Sequence, residues 1–163
     1  MVAESWESFF VAQVGASAAL TGLVFVALSI NLSRIIGDQV LIGRAGEALT
    51  LLLLPVLLGL LSLMSDVAVE TVGAWCLGVA LVGFLVLNRL LVRVRAEAWR
   101  TRPHAEFVGR VIAVELAIVP MVVGAAVLLS GSVSGFDWIA VGGVACLVVG
   151  IGDAWVLLVE ILR

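Results

Sequence analysis

Residues 45–64 read AGEALTLLLLPVLLGLLSLM, and no charged side chain occurs between Glu47 and Asp66. About 20 mostly apolar residues in an α-helix span a hydrocarbon core roughly 30 Å thick. Backbone groups in lipid must be satisfied internally, and a β-barrel strand would alternate polar with apolar residues, so the stretch predicts a transmembrane helix. Working outward, 9–32, 72–92, 107–130 and 138–162 have the same character. The chain as a whole agrees, with 63% hydrophobic residues, 13% charged residues and a mean hydropathy of +1.27. Soluble domains run to roughly 45–50% apolar and about 25% charged residues. A chain of 163 residues has too little interior to hide this apolar surface from water, which excludes a soluble or a disordered protein. The expected fold is all-α: a polytopic membrane protein, a compact bundle of five transmembrane helices in one domain, 1–163. The expected location is the plasma or inner cell membrane, crossed several times.

Arginine placement predicts the orientation. All nine basic residues are arginine. Arg34 and Arg44 follow the first span. Arg89, Arg93, Arg95, Arg100, Arg102 and Arg110 lie in and around the connector between the third and fourth, and Arg163 follows the fifth. The other connectors and the N-terminal tail carry Glu4, Glu7, Asp66, Glu70 and Asp137 without a basic residue. Positive loops stay in the cytoplasm, so five spans place the N-terminus outside and the C-terminus inside. Trp6, Trp75 and Trp138 then fall at outer interfaces, and Trp99 and Trp155 near the inner one. Arg93, Arg95, Arg100 and Arg102 are placed to meet anionic lipid headgroups. Glu4 and Glu7 stand where a signal peptide carries positive charge, so the first span is expected to remain as an anchor.

Helical periodicity sorts the remaining polar and small residues. In the first span Ser8, Gly15, Gly22 and Ser29 recur every seventh residue, a seam for close packing inside the bundle or between subunits. In the fifth, Gly142, Cys146, Gly150, Asp153 and Glu160 share one sector, a small-residue groove leading to two carboxylates. Glu115, in the fourth span, is expected to pair with Arg89 on the third, because an unpaired carboxylate in lipid is costly. Arg44 and Glu47, three apart, read as a solvated helix end. Pro55 and Pro120 each free a carbonyl and kink their spans. Asn31, Glu47, Asn88, Arg89, Arg110, Glu115, Asp153 and Glu160 all fall in the predicted cytoplasmic half, whereas the outer half carries no ionisable group. The pattern suggests a polar vestibule beneath an apolar plug, or a salt-bridge network that fixes helix register.

No enzyme motif is present. His104 stands in the arginine-rich connector, and there is no HExxH, P-loop or GxSxG. Cys76 and Cys146 lie in apolar spans as small hydrophobes. No basic stretch suggests nucleic acid, and neither a metal site nor a cofactor is expected. Two functions stay open. One is an oligomeric ion or proton channel or transporter, with Asp153, Glu115, Glu47 and Asn31 on the pathway and Arg89 as countercharge. The other is a non-catalytic accessory or regulatory subunit of a larger membrane complex. The first is preferred because intramembrane ionisable residues are functional candidates. Expected partners are membrane lipids and either further copies of the chain or another membrane protein. A reporter active only in the cytoplasm should be active when fused after Arg163 and silent at the N-terminus; the opposite pattern would invert the orientation.

Overall fold

The computed structural model describes residues 2–98 and 104–162, and the side chains of 6–93 and 107–159. It is helical throughout, with α1 (Val2–Ile30), α2 (Leu32–Ile36), α3 (Gln39–Ser62), α4 (Val69–Ala98), α5 (His104–Leu129) and α6 (Gly135–Leu162). Five of these, all but α2, are long and apolar enough to cross a membrane. The helices α1 and α3 begin ahead of the expected Phe9 and Ala45, and α4 runs well past Val92. The short helix α2 lies inside the first connector, where no element was expected. Its last carbonyls give way to Asp38, whose side chain accepts from the Val40 amide at 2.8 Å and caps α3. Pro55 and Pro120 both stay within continuous helices.

The helices α3, α4, α5 and α6 form a closed ring in which each packs on the next and α6 returns to α3. Short connectors make ring neighbours antiparallel. Leu51, Leu58, Leu87, Ile118, Met121 and Leu128 fill the middle and are wholly buried. Outside the ring, α1 lies against α3 and, more lightly, α6. Large apolar side chains such as Leu23, Val82, Leu116, Val148 and Trp155 point outward. Water does not tolerate so apolar an exterior, and lipid does. The end bearing α2 and the α4–α5 connector is called the arginine end below, and the opposite one the acidic end.

In a bilayer, whose tails are as apolar as leucine, helices of this kind are held together by close backbone approach rather than by hydrophobic expulsion. A Cβ at Gly124 would meet the Gly135 carbonyl at 2.6 Å and the Ile139 amide at 2.8 Å, where α5 and α6 touch. A Cβ at Gly73 would run into the backbone of Leu128 and Leu129, fixing α4 on α5. After α5, Gly131 adopts φ 84° and closes the turn, with its amide donating to the Leu128 carbonyl at 2.8 Å. Gly78, by contrast, faces open space. Thermal melting in detergent should find Gly124→Ala destabilised by about 1–3 kcal/mol through overpacking. Gly78→Ala should be neutral or slightly stabilising, since only the helix propensity of alanine is felt there.

Candidate functional site: a buried charged trio

Three charged side chains from three ring helices converge near the arginine end. Glu47 sits about two turns into α3, Arg110 about two turns into α5, and Asp153 about two to three turns before the end of α6. Their heights match because α3 and α5 start where α6 finishes. Arg110 donates from Nε to Glu47 Oε1 at 3.0 Å and from its terminal nitrogen to Oε2 at 2.8 Å. This fork-on-fork geometry is the strong form of the arginine–carboxylate contact. The same terminal nitrogen lies 3.5 Å from Asp153 Oδ1. The pair Glu47–Arg110 thus crosses the ring from α3 to α5, and Asp153 closes the triangle from α6. The two carboxyl groups feel each other's charge, and Arg44 lies within electrostatic reach of Asp153. Access is graded: the Glu47 side chain is sealed at 0% exposure, whereas Arg110 and Asp153 keep 13% and 15%.

Several expectations change. Glu47 does not stand on a solvated helix end with Arg44; it turns inward to Arg110 and is fully buried. Arg89 and Glu115 do not pair: Arg89 is exposed, Glu115 is half-buried, and among the described residues neither has an ion-pair partner. The countercharge for Asp153 and Glu47 is Arg110. The sequence signal for it was a buried stripe on α5, Arg110–Val114–Ala117–Met121, whose three later members are completely buried. Asn31 stays away from the trio, spending its side-chain amide on the Ala27 carbonyl at 2.9 Å.

The small residues divide into two sets. Gly142 and Cys146 face α5, where a Cβ at Gly142 would meet Met121 and the Cys146 thiol points at the Ala117 carbonyl, 3.7 Å away. Gly150 faces α3, packed on Leu51 and Leu52. Gly15, Gly22 and Ser29 form no seam inside the bundle. Gly15 and Gly22 have nothing near them, and Ser29 is exposed, donating to its own Phe25 carbonyl. Arg93 lies exposed on α4; the side chains of Arg95, Arg100, Arg102, His104 and Glu160 lie outside the described residues. Two further buried polar side chains escaped the sequence reading, Gln13 and Ser17 on the face of α1 that meets the ring. Their signal was the helical spacing Phe10–Gln13–Ser17–Leu28, all four buried.

Removing one member of a buried ion cluster strands the others, whereas replacing the whole cluster by apolar groups can be neutral. Arg110→Met should therefore lower unfolding stability by about 3–5 kcal/mol. Adding Glu47→Leu and Asp153→Leu should recover most of that loss. Chemical denaturation of the single and triple variants checks this, and equal losses in both would mean that the three charges are not coupled. No protein-family model, no curated protein and no solved structure matches the chain.

Proposed function

We propose that the protein moves protons or small ions across a membrane, and that Glu47, Arg110 and Asp153 are the site where charge is held and exchanged. The observation carrying this reading is that two carboxylates from different helices share one guanidinium inside segments otherwise apolar enough to span a bilayer. Charged groups at such depth are costly and concentrate on ion and proton pathways. Fully ionised, the trio carries one net negative charge; with one proton on the carboxyl pair it is neutral, and Arg44 balances the ionised form from the Asp153 side. The graded access fits a vestibule that opens at the arginine end, taken as cytoplasmic, with Glu47 as its sealed inner wall.

The uncovered glycine-bearing face of α1 favours assembly, either of several copies around a shared pathway or of one copy on a larger membrane complex. The second arrangement is the accessory-subunit reading. Purified protein in liposomes should dissipate an imposed proton or cation gradient, and Asp153→Asn should reduce that flux. Silence under every gradient, together with a fixed co-purifying membrane protein, would overturn translocation in favour of the accessory role. A native mass measurement of the purified protein separates an oligomer from a single copy.

A further inference from the structure

The contact between α1 and the ring is apolar at both ends and polar in the middle. At the acidic end Phe10 stacks edge-on against Phe136 of α6 at 5.9 Å, supported by Trp6 and Phe9. At the arginine end Leu28 joins Ile35, Ala45 and Leu157. Between these clasps stand Gln13, 5% exposed, and Ser17, fully buried, one turn apart on the same face. The Gln13 amide lies over Gly143 of α6 and fills the space that a Cβ there would take. Neither the nitrogen nor the oxygen of that amide, nor the Ser17 hydroxyl, has a hydrogen-bond partner among the described residues.

Ser17 had a local alternative. Thr21, Ser29, Thr50 and Ser62 all donate to the carbonyl four residues back, at 2.7–2.8 Å. Ser17 does not, and its hydroxyl is left for the seam. An unsatisfied amide and hydroxyl in an apolar surrounding cost several kcal/mol together. Three polar atoms within one turn, both donors and acceptors, suit a ligand that can both donate and accept and that fits between packed helices. Water meets that description, since buried water typically makes about three hydrogen bonds to otherwise unsatisfied groups.

The position is as informative as the chemistry. Gly143 and Asp153 are ten residues apart on α6, so the Gln13 level stands about 15 Å from Asp153 toward the acidic end. Ser17 lies about 6 Å nearer to it. Between Ser17 and the trio comes one apolar layer, in which Leu51 and Leu52 of α3 close on Gly150 at 3.0–3.3 Å from its Cβ position. Below that layer, Asp153 Oδ2 is also buried without a hydrogen-bond partner.

We propose that Gln13 and Ser17 form a water-binding station within the α1 seam, and that the Leu51–Leu52–Gly150 layer is the barrier separating it from the charged trio. The station stands on its own geometry; its place on a conduction route rests on the translocation reading. The test uses the full chain in liposomes with Cys76→Ala and Cys146→Ala, carrying Gln13→Cys, Ser17→Cys, or the outward-facing controls Ala12→Cys and Ala16→Cys. The probe is methyl methanethiosulfonate, small and uncharged enough to reach every depth. Only the thiolate reacts, so hydrated positions 13 and 17 should label at least about tenfold faster than 12 and 16. Adding Leu52→Ala should speed labelling at 17 further. Rates at 13 and 17 no higher than at 12 and 16 would overturn the station, and an unchanged rate on Leu52→Ala would overturn the barrier. Flux measured on wild-type liposomes keeps the two readings apart. Slow labelling beside intact flux removes the station alone, whereas fast labelling beside silent wild-type protein removes the translocation reading alone.

Discussion

One guanidinium held between two carboxylates inside apolar helices constrains everything else in this molecule. Each of those ions would be expensive to leave alone in hydrocarbon. None can be withdrawn without stranding the others, so α3, α5 and α6 are tied at a single height. A slip of one residue along any of the three helices would rotate a charge by about 100° away from its partners. The trio therefore sets the register of a ring whose remaining contacts are dispersion and close fit. Hydrophobic side chains alone would have tolerated several such registers, because leucine packs on leucine nearly as well one turn away.

The two halves of the ring are built by different means. Toward the acidic end the helices approach through glycine: Gly73 on the Leu128–Leu129 backbone, and Gly124 against Gly135. Toward the arginine end charge replaces close approach as the specifying element, while leucines such as Leu91 and Leu157 fill the space around it. Glycine contacts demand shape, and charge contacts demand identity. Together they give a unique arrangement to a chain composed largely of Leu, Val, Ala and Gly.

Much of this was legible in the residues. The five long helices follow from stretches poor in charge, and their bounds differ from expectation mainly at α1, α3 and α4, where polar residues continue a helix beyond the apolar run. The crowding of polar groups toward one end was also visible. Which of them would meet was not. A helical wheel gives the direction of a side chain relative to its own axis, but not which neighbour stands there. Glu115 and Arg89 look complementary on separate wheels, yet the ring turns Arg89 outward and leaves Glu115 without an ion pair among the described residues. Arg110 stands at a span boundary like a topological marker, although its spacing to Val114, Ala117 and Met121 places it on the buried stripe. The single amide of Gln13 in a long apolar segment barely alters its hydropathy. Its significance came only from being enclosed.

The place of α1 outside a ring that closes without it bears on the order of synthesis. Chains emerge N-terminus first, so α1 is made before either of its packing partners exists. The helix α3 follows soon after, but α6, which supplies Gly143 opposite Gln13, is made only after α3, α4 and α5. Until α6 arrives, the Gln13 amide and the Ser17 hydroxyl therefore lack the seam that finally encloses them. That interval limits how polar α1 can be, and it is consistent with two uncharged groups, rather than a carboxylate or an arginine, standing at its centre.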